Sequence, residues 1–247
     1  MGLIVRYISV GIISVFLLAG CALVDRFFGE EEEKSPAELM SEGVAKLDKG
    51  DYEGSTEAFQ KVKDRYPYSK YAVTAELKMA DSLYKQEEFE QAFDAYREFE
   101  RLHPKNKNIP YVIYQEGMCF FRRITTIDRD QSHTLKAKEE FERLVRRFPR
   151  DDYANRARKN LRKCLIYLAE YELYVGHYYF KMGKYRTAMD RYEYVIKNYP
   201  DMGQYHVALE YIRRCKERLS EELPPKNEKK TTISGKLRKL IPFLKKD

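Results

Sequence analysis

Residues 176–200, GHYYFKMGKYRTAMDRYEYVIKNYP, hold the pattern that decides the fold. A segment of helical period runs into Gly183-Lys184-Tyr185. A second amphipathic segment then carries Ala188, Tyr192 and Val195 on one face, and Tyr199-Pro200 ends it. Proline cannot continue the backbone hydrogen-bond ladder, so the aromatic-Pro pair is a physical stop. The same order recurs upstream, with stops at Tyr66-Pro67, His103-Pro104 and Phe148-Pro149. Successive prolines are 37, 45 and 51 residues apart, so the chain repeats a two-helix unit with insertions.

The offsets within each unit resemble those of tetratricopeptide repeats, whose length is roughly 34 residues. The first unit has Gly43, Gly50-Asp51-Tyr52, Ser55, Phe59, Val62 and Pro67, and the second has Ala80, Leu83, Phe89, Ala92, Tyr96, Phe99 and Pro104. The third has Gly117, Phe120, Ala137, Phe141, Leu144 and Pro149, with extra residues between its helices; the fourth adds Gly176 and Tyr179 to the pattern quoted above. A small residue on each first helix lets the second approach closely, and aromatics fill the wedge toward the next unit. No unit buries its apolar face alone, so stacking supplies the stability. Between Asp151 and Met182 apolar residues alternate in steps of mostly four and three. That pattern predicts one long helix or two nearly continuous ones: an elongated first helix, or a rod coupling the two halves of the array. Gln204 to Leu219 is a fifth amphipathic segment that caps the stack. The expected fold is all-α, a tetratricopeptide right-handed superhelix of about five helix pairs over residues 37–220.

The N-terminus sets the compartment. Leu3 to Ala19 is an apolar run broken by Arg6, and it closes on Leu18-Ala19-Gly20-Cys21. A short apolar core ending on small residues has the layout of a secretory signal peptide, residues 1–20, too short for a good membrane span. Leu-Ala-Gly-Cys resembles the bacterial lipobox, which implies a mature N-terminus at Cys21 carrying diacylglycerol on its sulfur and an acyl chain on its amine. More than one acyl chain suffices for stable anchoring. The other reading is an uncleaved anchor with a chance Cys. Ala22 stands where an Asp resembles an inner-membrane retention signal, which favours the periplasmic face of the outer membrane. Residues 21–36, with Glu30 to Glu33, read as an acidic tether.

A formal charge of +7 suggests nucleic acid until it is located. Residues 226–247 carry eight Lys and Arg against Glu228 and Asp247, so the repeats are nearly neutral and no nucleic-acid partner is expected. The tail, residues 221–247 after Pro224-Pro225, reads either as a flexible solubilising segment or as a basic contact for acidic lipid or protein. Cys119, Cys164 and Cys215 are singly spaced in apolar patterns and read as small buried hydrophobes, with one disulfide conceivable in an oxidising compartment. His103, His133, His177 and His206 lack metal-ligand spacing. No nucleophile elbow, phosphate loop or HExxH motif occurs. The expectation is therefore no enzyme, no metal and no cofactor beyond the covalent lipid.

A lipobox followed by tetratricopeptide units resembles the BamD family, lipoproteins of the outer-membrane β-barrel assembly machine, over roughly residues 17–220. The likeness rests on Asp64-Arg65-Tyr66-Pro67-Tyr68, on Asn108-Ile109-Pro110-Tyr111-Val112-Ile113-Tyr114 with Gly117, and on Asp128-Arg129-Asp130. Ala169-Glu170-Tyr171-Glu172 and Gly176-His177-Tyr178-Tyr179 extend it. The third-repeat loop is shorter than in enteric members, and the basic tail has no counterpart. The resemblance implies a periplasmic scaffold that binds a POTRA domain of BamA through its C-terminal repeats, with Arg191 and neighbouring Glu193 at that contact. It also implies that the N-terminal repeats bind signals of unfolded outer-membrane β-barrel proteins, and that other lipoproteins of the machine are possible partners. Because such signals end in an aromatic residue, an aromatic-lined concave surface is required, with Tyr68, Tyr71 and Tyr84 as candidates beside their alternative role in the core. Rival readings are another lipid-anchored repeat protein, such as a secretin or pilus pilotin or a division coordination factor, and a peptide-binding chaperone.

Overall fold

A computed structural model describes residues 33–200 and 202–222, which form helices joined by short turns. They are α1 (Pro36–Asp48), α2 (Tyr52–Arg65), α3 (Ala72–Lys85), α4 (Phe89–Leu102), α5 (Ile109–Phe121), α6 (Ser132–Arg147), α7 (Asp152–Lys181), α8 (Tyr185–Asn198) and α9 (Tyr205–Glu222). The signal peptide, Cys21, most of the acidic tether and the basic tail lie outside the described residues.

Local chemistry sets the boundaries. Ser35 and Glu38 form a reciprocal capping box that starts α1, and the Asp51 carboxylate accepts from the Gly54 N–H to start α2. The turns inside the first and fourth pairs use Gly50 (φ 80°) and Gly183 (φ 72°), left-handed conformations that glycine adopts without a Cβ clash. The second pair places Glu87 at φ 64° in the equivalent turn. At the stops, Tyr66, His103 and Tyr199 share nearly one conformation, with φ between −133° and −125° and ψ between 50° and 54°. Each donates its N–H to the carbonyl four residues back, and the following Pro forces the chain out of the helix.

In three of the four pairs a glycine on the first helix meets an aromatic ring on the second; the α3/α4 pair has the buried Ala80 in that position. A Cβ at Gly43, Gly117 or Gly176 would lie within 2.5–2.6 Å of Phe59, Phe141 or Tyr192 respectively. Those three rings are completely buried. Ser55 adds a polar tie, donating to the Gly43 carbonyl at 2.8 Å and lying 3.0 Å from the Ser82 hydroxyl of the next pair. The tetratricopeptide pattern is thus realised as helix pairs α1/α2, α3/α4, α5/α6 and α7/α8. The 151–182 segment resolves into the single helix α7, 30 residues long.

The chain divides into two compact units. The first holds the described residues up to Ile124 with Lys136–Arg158; the second holds Thr125–Leu135 and the described residues from Lys159 onward. In the first, Leu39, Met40, Phe59, Val62 and Ala75 make one apolar cluster. In the second, Leu168, Ala169 and Leu173 of α7 pack with Ala188, Tyr192 and Val195 of α8 and Ala208, Ile212 and Cys215 of α9. Cys119 and Cys164 are likewise buried. Arg213 stands 13 residues after Pro200, as Ala80 and Gly117 stand after Pro67 and Pro104, so a large charged residue occupies the place where those helices carry a small one. It is exposed and pairs with Glu210 and Glu217.

Candidate functional site

Thr74, Leu77, Lys78 and Asp81 fall on one face of α3 because they are three and four residues apart. They form one wall of a cleft of about 330 Å³ in the first unit. Lys107, Asn108, Pro110 and Tyr111 line it from the start of α5, and Asp151 and Tyr153 from the start of α7. Asp81 organises it: one carboxylate oxygen accepts the Tyr96 hydroxyl at 2.8 Å and the Tyr111 hydroxyl at 2.6 Å, while Lys78 donates to the other at 3.3 Å. Burial first, and the Asp81 charge second, push both tyrosine hydroxyls well above their ordinary range, so they remain donors. Gln115 donates to both oxygens, at 3.2 and 3.4 Å. With its hydroxyl fixed, the Tyr111 ring meets Tyr153 edge-on at 5.2 Å, and Tyr114 meets the same ring at 5.5 Å. The cleft therefore offers an aromatic wall, the Lys107 ammonium, the Lys78–Asp81 pair, the Asp151 carboxylate and the Asn108 amide, an apolar and polar mix that suits an extended peptide with an aromatic side chain.

None of the three tyrosines singled out from the sequence lines this cleft. Tyr68 is fully exposed beyond the first stop. Tyr71 caps α3 and packs against the Leu39 cluster, with the Lys70 ammonium 5.1 Å from its ring. Tyr84 lies edge-on to Phe89 at 5.4 Å, and burial pushes its hydroxyl up to about 12. The residues sequence reasoning passed over, Tyr111 and Tyr153, each sit just inside a first helix after a stop. That position was their available signal: stacked units bring such helix starts together.

In the second unit, Arg191 of α8 donates from one Nη to Glu172 of α7 at 3.1 Å. The guanidinium is 43% exposed and the carboxylate 13% exposed, so the Arg is anchored from below and open above. Glu193 is exposed on the same helix. On α7, Tyr174, Tyr178 and Met182 lie four residues apart and are about half exposed, a solvent-facing apolar stripe. The Asp128-Arg129-Asp130 loop is held by Gln131, whose amide donates to the carbonyls of Thr126 and Arg129. A hydrogen bond from Ser132 holds the Asp130 carboxyl below its ordinary range. Among the described residues no cluster of three or more His, Cys, Asp or Glu could hold a metal ion, and no helix is long and apolar enough to cross a membrane.

A family described as outer membrane lipoprotein, YfiO, matches residues 32–232. The outer membrane protein assembly factor BamD of Rickettsia prowazekii (strain Madrid E) is 31% identical over 199 residues, covering 81% of this chain and 78% of that protein. The BamD of Neisseria meningitidis serogroup A is 27% identical over 217 residues, covering 83% of this chain and 81% of that one. Among solved structures, the TPR2AB domain of yeast Sti1, described in complex with pHSP90, has a TM-score of 0.43 and 16% identity, covering 75% of this chain and 71% of that one.

Proposed function

The chain belongs to the YfiO family of outer membrane lipoproteins, as an outer membrane protein assembly factor of the BamD group, and from that premise we propose that it is a lipid-anchored, non-enzymatic scaffold of the β-barrel assembly machine. Its second unit binds the POTRA region of a BamA-type protein, and its first unit binds the signal segment of unfolded outer-membrane β-barrel proteins. Acyl chains on Cys21 hold it at the periplasmic face of the outer membrane.

The observation that carries this reading is the family match, which runs through the helices of both units. The side chains supply the chemistry. Arg191 offers a planar fork for a partner carboxylate, and Glu172 beneath it keeps that fork from swinging away. The Tyr111–Tyr153 wall suits an aromatic side chain better than the separate positions of Tyr68, Tyr71 and Tyr84. Affinity purification from detergent-solubilised outer membranes tests the scaffold role. Recovery of a POTRA-containing barrel protein is expected; a secretin ring or division proteins in its place would support the rival lipoproteins. For the first unit, a photoreactive group at Tyr111 or Tyr153 is expected to crosslink a peptide that ends a barrel protein. Crosslinks confined to Tyr68, Tyr71 or Tyr84 would move the site away from the cleft.

A further inference from the structure

On α4 and α6, apart from the aromatic cleft, Arg97, Arg101 and Arg147 line a second cleft together with Glu100 and Pro104. It is layered by charge. Glu100, Glu116 and Glu140 lie underneath with side chains 13%, 0% and 12% exposed, while Arg97 and Arg147 lie above them at 50% and 41%. Arg97 points one Nη at Glu116 (3.2 Å) and Glu140 (3.5 Å), and Arg147 points one Nη at Glu100. Arg143 closes the buried layer by donating to all three carboxylates. Arg101 is held separately, its Nε and one Nη on Glu98 at 2.7 and 2.6 Å.

A guanidinium has five N–H donors in a fixed fork. Each cleft arginine spends one face on a carboxylate below or beside it. For the Nε and second Nη of Arg97 and Arg147, and the second Nη of Arg101, no acceptor is seen among the described residues. The side chains are thus already ordered, Arg97 and Arg147 also lying over the Phe93 and Phe148 rings at 5.6 and 5.1 Å, which lowers the entropic cost of capturing an anion. Yet all three remain 41–68% exposed. We propose that this cleft is a docking site for a carboxylate in an acidic segment of a partner protein. The buried Glu116 adds support. Desolvation pushes its carboxyl up to about 8, and one of its oxygens has no hydrogen-bond partner among the described residues, so near neutrality it adds little negative charge beneath Arg97 and Arg143. Glu98 and Glu100 argue for a single carboxylate over a broad anionic surface. A fork can take one carboxylate bidentately, whereas a lipid headgroup layer would press phosphates against both acidic residues.

The probe is a capped hexaglutamate peptide carrying a fluorophore and a photoreactive group, added to the full chain, with capped hexaglutamine as control. Because the tail also carries positive charge, crosslinks are mapped by mass spectrometry. Crosslinks to α4 and α6, a salt-sensitive affinity, and a loss of roughly tenfold in Arg101→Gln and Arg97→Gln are expected. Among the described residues the polar contacts of Arg101 are to Glu98 alone, so its variant decides the matter even if Arg97→Gln lowers helicity by circular dichroism. Crosslinks confined to residues 226–247, equal binding of hexaglutamine, or parental affinity in Arg101→Gln would overturn the site. So would variants that lose phosphatidylglycerol vesicle binding while hexaglutamate binding stays intact.

Discussion

Glu116 has no special signature along the chain, standing between Gln115 and Gly117 in a helix like many other carboxylates. Only the approach of α4 and α6 to α5 removes it from water and surrounds it with Arg97, Arg143, Glu100 and Glu140. Its carboxyl is raised from the ordinary 4.5 to about 8 by burial, against the pull of Arg143. A carboxyl raised in the folded state favours folding most fully below its ordinary value, and that contribution is lost as pH rises through about 8. Parent stability is therefore expected to fall between pH 4.5 and 8 by up to a few kcal/mol relative to Glu116→Gln, which cannot titrate. Urea unfolding at both pH values checks this; equal slopes in the two proteins would contradict it. Glu100 acts in the opposite sense: burial opposes its ionisation, yet Arg143 and Arg147 hold it below its ordinary range, so its contribution is lost in acid. Arg191 was identified from the family resemblance, but its anchoring by Glu172 was not visible in sequence, because the two residues meet only across a helix pair. Arg191→Glu places two carboxylates together and reverses the charge offered to a partner. Capture of the POTRA protein is expected to fall at least roughly tenfold with helicity unchanged. A pull-down with parental recovery would remove Arg191 from the interface.

Helix boundaries were the most legible feature, since they depend on a few local residues. Aromatic-Pro stops, Gly50, Gly183 and the Ser35 cap act through backbone geometry that needs no distant partner. The close approaches were legible too: a Gly at one offset and an aromatic at another imply the contacts seen at Gly43–Phe59 and Gly176–Tyr192. Glu87 is the exception that tests this reasoning. It occupies the left-handed turn that Gly50 and Gly183 occupy in other pairs, where a Cβ is costly. Its carboxylate pairs with Arg122 at 3.3 Å, but both groups are more than half exposed and the pair contributes little. Glu87→Gly is expected to stabilise the first unit by about 1 kcal/mol, read as a higher urea midpoint with an unchanged slope. A lower midpoint would show that the ion pair outweighs the strain.

At the scale of the whole molecule, the proposed function assigns attachment and recognition to different parts of the chain. Cys21→Ser removes the thiol proposed to carry the lipid and lies outside every described helix. The chain is expected to move from the outer-membrane fraction to the soluble periplasmic fraction, as checked by immunoblotting of fractionated cells. Persistence in the membrane fraction would mean that the signal segment or the bound partners suffice. Location of charge was readable at this scale because formal charge needs no coordinates: the positive excess lies in residues 226–247, and the repeats are nearly balanced. The sequence by itself determined the helix pairs, their stops and their close approaches, because each depends on periodicity, proline chemistry or the absence of a Cβ. Which tyrosines face a cleft, which carboxylates are buried and which arginines keep donors toward solvent were decided only by tertiary structure. Those properties depend on side chains from three helices far apart in sequence, and burial, which governs both the charge of Glu116 and the orientation of Tyr111, exists only once those helices have packed.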